Sequence, residues 1–196
     1  MAYPFENAPT TFKGYLKSLK DLAYTDDPFD EDFQSRLPEG KAYAFDDIKN
    51  AVCVYRSAKA KQPLRSADGL LVIDDGKTAN YILVDFKNQK PDNIQSIKDP
   101  DRNELMQKAF DSLSILAMTF CHGKPMCEIQ QKVAFIVVYP RCDYSAGFLK
   151  ALSECATNEP LWKLDKLVKN GFYVDIKTID DETFKALNLP FMKNDA

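Results

Sequence analysis

Asp68 and the tripeptide Asp85-Phe86-Lys87 are the residues whose types and spacing could do chemistry. Side chains two apart on a strand share a face, so Asp85 and Lys87 project together while Phe86 points to the opposite, buried side. Two carboxylates and a strand carbonyl, that of Phe86, make an all-oxygen site of the kind that accepts Mg²⁺ (or Mn²⁺) while leaving waters for a substrate phosphate. A lysine beside such a site can orient an attacking water and stabilise charge on the phosphate.

The elements that must position these groups are legible nearby. Leu70-Leu71-Val72-Ile73 and Tyr81-Ile82-Leu83-Val84 flank the turn Asp74-Asp75-Gly76-Lys77, which predicts a β-hairpin. Asp68 opens the first strand and Asp85 closes the second, so antiparallel pairing brings Asp68, Asp85 and Lys87 together.

Upstream, Thr10 or Thr11 can cap a helix over Phe12–Ala23, and the acidic run Asp26 to Asp32 predicts a loop with a short helix at Phe33. After the break at Pro38-Glu39-Gly40, Phe45, Ile48, Val52 and Tyr55 recur at helical spacing behind Asp46 or Asp47, although Ala51 to Tyr55 also reads as a strand.

Downstream, a loop from Asn88 to Arg102 leads to a helix over Asn103–Phe120, with Leu105, Ala109, Leu113, Leu116 and Phe120 on one stripe. Lys132 to Tyr139 has the composition of a strand buried on both faces. Helices over Ala146–Ala156 and Glu159–Asn170, a C-cap at Gly171, a strand over Phe172–Ile176 and a short helix capped by Asp180 or Asp181 complete the chain. The expected class is α/β, a central mixed β-sheet flanked by helices, as one domain over residues 1–196.

Asp68 with Asp85-Phe86-Lys87 resembles the PD-(D/E)XK nuclease superfamily, whose motif is an Asp on one strand and a (D/E)-x-K tripeptide on the next. The resemblance covers about residues 46–139, where helix, hairpin, helix and strand follow the order of that family's αββαβ, restriction-endonuclease-like core, here with N- and C-terminal helical additions. Ala67 stands where the family has proline, Asp85 stands for the commoner Glu, and Asp46 or Asp47 would substitute for a Glu on the preceding helix. Some members carry Gln-x-x-x-Tyr on the following helix, whereas Gln107 is followed four residues on by Asp111. The resemblance implies Mg²⁺-dependent hydrolysis of phosphodiester bonds in DNA or RNA. Asp68 and Asp85 hold metal in this reading, and Lys87 places the water. The alternative is a catalytically inactive copy of the fold that binds a protein or nucleic acid.

Arg56, Lys59, Lys61 and Arg65 lead into Asp68 as a basic approach suited to a phosphate backbone, or else as a solubilising loop. A formal net charge of −3 argues against a protein that coats nucleic acid along its whole surface. Apolar residues at 45% and charged residues at 28% fit a chain that folds on its own. Five cysteines without a regular framework point to a reducing, cytoplasmic setting. Cys121-His122 and Cys127 match no common zinc-finger spacing. The N-terminal stretch has neither a basic nor an apolar signal region, and no apolar run is long enough to span a bilayer, so no membrane association is expected. No glycine-rich phosphate loop, dinucleotide fingerprint or serine nucleophile elbow appears.

Overall fold

A computed structural model describes residues 11–26, 28–57, 64–74, 79–88, 99–141 and 164–190. Its centre is one six-stranded sheet in the order β1 (Leu16–Ser18), β2 (Lys41–Ala44), β3 (Gly69–Asp74), β4 (Ala79–Phe86), β5 (Val133–Tyr139) and β6 (Asp175–Asp180). The first four strands pair antiparallel, and β4, β5 and β6 run parallel. The sheet is therefore mixed, and with its helices the fold is α/β.

The expected hairpin is β3 and β4, with Gly69 opposite Val84 and Leu71 opposite Ile82. Continuing that register by one residue sets Asp68 across from Asp85. β5 lies between two parallel neighbours and is buried along almost its whole length, as its unbroken run of β-branched and aromatic residues predicts.

Strand alternation sends apolar side chains to two cores. On one face Leu70, Leu83, Phe135 and Val137 meet α3 (Phe45–Ser57), α4 (Asp99–Met118) and α6 (Asp165–Lys169) through Phe45, Ile48, Leu105, Leu113 and Leu167. On the other, Leu71, Val84, Phe86 and Val138 meet α1 (Leu19–Leu22), α2 (Phe33–Arg36) and α7 (Asp181–Ala186) through Leu19, Phe33 and Phe184. Each fully buried Leu, Val or Phe contributes about 1.5–3 kcal/mol, so these two layers hold the sheet. A further helix, α5 (Met126–Gln130), precedes β5.

Several elements differ from the expectation. The helix over Phe12–Ala23 is instead a 3-10 turn at Lys13–Tyr15, then β1, then α1. Ser18 ends the strand and caps the new helix by accepting from the Asp21 N–H at 3.1 Å, while Leu16 and Lys17 pair with Tyr43 and Ala42 of the unanticipated β2. Ala51 to Tyr55 is helical within α3. The long helix starts at Asp99 rather than Asn103. The last strand covers Asp175–Asp180 rather than Phe172–Ile176, because the Phe172 N–H is spent on the Leu167 carbonyl of α6 at 2.8 Å, while the Tyr173 hydroxyl donates to the Ala109 carbonyl of α4 at 2.7 Å. Gly171, at φ 73°, closes α6 with its N–H on the Val168 carbonyl, in the left-handed conformation that a C-terminal glycine supplies. Asp180 caps α7 by accepting from the Thr183 N–H at 2.7 Å. The helix expected over Ala146–Ala156 and the first part of that over Glu159–Asn170 lie outside the described residues.

Candidate functional site

Phe86 sets the direction of its two neighbours. Its ring packs edge-on against Phe33 at 6.4 Å and Phe184 at 6.1 Å in the core beneath α2 and α7. Alternation then forces Asp85 and Lys87 to the face beneath α4. Pairing with β5 continues past the end of β4, since the Lys87 N–H donates to the Val138 carbonyl at 2.8 Å. Lys87 is thus held in strand geometry although it lies one residue beyond the strand.

Asp68 is fixed from three sides. Its backbone carbonyl accepts from the Phe45 N–H at 3.0 Å, at the start of α3. Its Oδ2 accepts from the Phe86 N–H at 2.6 Å, across the hairpin. The residues leading into it are tied to α4: the Arg65 N–H donates to Asp111 Oδ2 at 2.9 Å, and the Ala67 N–H donates to the buried Ser112 hydroxyl at 2.8 Å. Arg65 also pairs with Glu104 of α4 at 2.5 Å. Residues 104, 108, 111 and 112 recur at helical spacing, so one flank of α4 carries this whole segment.

The fourth member of that flank, Lys108, enters the site. Its Nζ lies 2.6 Å from Asp85 Oδ1 and 3.5 Å from Asp68 Oδ1. Lys87 Nζ lies 3.2 Å from Asp85 Oδ2, but not in hydrogen-bonding alignment, so Oδ2 is a buried oxygen without a hydrogen bond. Asp85 is fully buried, and Lys87, Asp68 and Lys108 keep only 15–20% of their side-chain surface exposed. The arrangement is a nearly enclosed quartet of two aspartates and two lysines.

Their electrostatics diverge. Burial, with the Asp85 charge added, pushes the Asp68 carboxyl up to about 7. Asp85 suffers a burial penalty too, but Lys87 and Lys108 together outweigh it and hold that carboxyl below the usual aspartate value. Lys108 is likewise penalised by burial, yet Asp85 and Asp68 raise its pKa well above that of an ordinary lysine. Lys108 is therefore a permanent cation here.

The other expected site residues fall as follows. Asp46, on α3, accepts from Lys49 at 2.7 Å and from the Ser66 hydroxyl, and its charge is felt by Lys108. Asp47 points to the sheet edge, where it pairs with Lys17 of β1 at 2.7 Å. The side chain of Arg56, and Lys59 and Lys61, lie outside the described residues, so Arg65 alone of the basic approach is placed. Gln107 precedes the residue that reaches the site. Lys108 and Ser112 were not anticipated, and Ser66 belonged to the motif element Ser66-Ala67-Asp68 without a role of its own. The available signal for Lys108 was its place one turn after Leu105 and one turn before Ser112, on the flank of an apolar stripe.

Among the described residues, no three His, Cys, Asp or Glu side chains gather as a metal-holding group. The quartet offers two carboxylates, whose oxygens are the donor chemistry of a small hard cation, and each carboxylate is already within ion-pair distance of an ammonium. The ammonium of Lys108 is the cation that lies between them.

No family model matches the chain, and neither the curated proteins nor the solved structures searched contain a match. Among the described residues, no helix is long and apolar enough to cross a membrane.

Proposed function

We propose that this chain is a metal-dependent, nuclease-like protein that hydrolyses phosphodiester bonds of DNA or RNA on a restriction-endonuclease-like core. One observation carries the reading: Asp68, Asp85 and Lys87, contributed by two adjacent strands, converge within one enclosed cluster at the sheet end. The order α3, β3, β4, α4, β5 supports it, being the αββαβ order of the PD-(D/E)XK resemblance.

Asp68, Asp85 and the Phe86 carbonyl would hold Mg²⁺ or Mn²⁺, which when bound supplies Lewis-acid polarisation of a phosphoryl oxygen. Lys87, held by the β5 pairing, orients the attacking water and offsets charge that develops on the phosphate. Asp46 steadies the Ser66–Asp68 segment through the Ser66 hydroxyl. Arg65, with Arg56, Lys59 and Lys61, would track the phosphate backbone. We place the activity in the cytoplasm, on the odd count of five cysteines.

The position of Lys108 favours a second reading, a catalytically inactive nuclease fold that binds nucleic acid or a protein partner. The ammonium already supplies a positive charge between the carboxylates. Incubation with single-stranded, double-stranded and branched oligonucleotides in Mg²⁺ or Mn²⁺ separates the two. The nuclease reading expects cleavage by the wild type and a loss of at least about 10³-fold in Asp85→Asn. Intact substrate in every wild-type reaction would move the chain to the binding-module class.

A further inference from the structure

The oxygens of the quartet are divided between anchoring and charge compensation. Asp68 spends Oδ2 on the Phe86 N–H, which turns Oδ1 toward Lys108. Asp85 Oδ1 accepts from Lys108, and its Oδ2 is ion-paired with Lys87 at 3.2 Å. One ammonium thus lies within 3.5 Å of an oxygen from each aspartate, a position that a cation bridging the two would also take.

Two carboxylates beside each other in a poorly solvated site repel, and a metal-free protein needs a positive charge to hold them in place. Lys108 supplies it. A lysine does so reversibly, because its charge rides on a four-carbon stem with rotatable bonds rather than on a rigid fork.

We infer that Lys108 is a built-in competitor for the metal position: it bridges Asp68 and Asp85 when the site holds no ion, and a divalent cation binds only by displacing its ammonium. This rests on the metal-site reading above. With both carboxylates ionised, the two lysines bring the quartet to zero net charge, so a divalent cation that takes the place of the Lys108 ammonium leaves the site at +1. Binding therefore works against the lysines unless an anion enters with it, and a phosphodiester is such an anion. Lys108 thus makes metal uptake weak in the free protein and stronger when nucleic acid is present, which suppresses occupancy of the site without substrate.

The test is calorimetric titration of Mn²⁺ into the wild type and into Lys108→Gln, each with and without a single-stranded oligonucleotide. The inference expects Lys108→Gln to bind Mn²⁺ at least about tenfold more tightly than the wild type without oligonucleotide, and the oligonucleotide to narrow that gap. Equal Mn²⁺ affinities in the two proteins would overturn the inference and leave the metal-site reading standing. Binding by Lys108→Gln alone, with a wild type that takes up no Mn²⁺ even with oligonucleotide, would confirm the competition and contradict the nuclease reading. Absence of binding in both would remove both. Should Lys108→Gln fail to fold, the Lys108 Cε resonance of the wild type in saturating Mg²⁺ decides. A shifted signal supports displacement, and an unmoved signal with Mg²⁺ bound contradicts it.

Discussion

Burial and the adjacent Asp85 charge raise the Asp68 carboxyl to about 7, against 3.8 for an ordinary aspartate. Between those values the folded protein holds a proton that the unfolded chain has released, so stability falls as pH rises from about 4 to about 7 and levels above that range. Asp85 acts in the opposite sense. Its folded value lies below the ordinary one, so its contribution is complete above about 4 and is lost as pH drops through the depressed value. Asp68→Asn should therefore flatten the decline between about pH 4 and 7 and raise stability at pH 8 by a few kcal/mol, about 1.4 for each unit of the shift. Urea denaturation across that range checks it, and an unchanged slope in the variant would show that Asp68 is not the group responsible. At this scale Asp68, Asp85 and Lys87 were legible, because strand alternation and hairpin pairing are local rules. Lys108 was not, because its partners lie 23 and 40 residues away. A lysine on a helix reads as solvated until the tertiary fold supplies the opposing charges.

The element that builds the site is α4. Its buried Ser112 accepts the Ala67 N–H, its Asp111 accepts the Arg65 N–H, and its Lys108 meets both carboxylates. Ser112→Ala leaves a buried N–H without a partner, which should cost about 1–3 kcal/mol and loosen the segment that carries Asp68. Thermal denaturation measures the first effect. Faster amide exchange confined to Arg65–Asp68 would report the second, and protection equal to wild type there would contradict it. The hairpin, α3, α4 and β5 were readable because their apolar runs are long and periodic. β1 and β2 were not. Each has only three or four residues, and the spacing of Leu16, Leu19 and Leu22 also fits a helix until Ser18 is seen to cap α1. The last strand was misplaced because Phe172 and Tyr173 have strand composition but serve the α6 terminus and the core under α4.

Across the whole molecule, the layer opposite the site is tied together by charge as well as by apolar packing. Arg36 of α2 pairs with Asp30 at 2.5 Å and with the fully buried Asp181 of α7 at 2.5 Å, and Asp181 also accepts from the Arg141 N–H beyond β5. Arg36→Met should destabilise the protein by roughly 2 kcal/mol, because Asp181 keeps its backbone donors but loses its cation. A stability equal to wild type by urea denaturation would show that those donors suffice. Asn88 joins this layer to the site: it receives the Asp30 N–H and donates to the Asp30 carbonyl, both at 3.0 Å, one residue after Lys87. The sheet end is thus braced from both faces, and what it braces is the strand that carries Asp85 and Lys87. If this bracing serves the proposed phosphodiester hydrolysis, single-turnover cleavage by Lys87→Ala will reveal it. Lys87 is no metal ligand, so Mn²⁺ binding by the variant should persist, and its loss of stability should stay near about 1–2 kcal/mol, since Asp85 keeps Lys108. The cleavage rate with Mg²⁺ should fall by at least about 100-fold at saturating enzyme. A folded, metal-binding Lys87→Ala that cleaves at the wild-type rate would rule out the catalytic role of Lys87 and with it the proposed hydrolysis at this site.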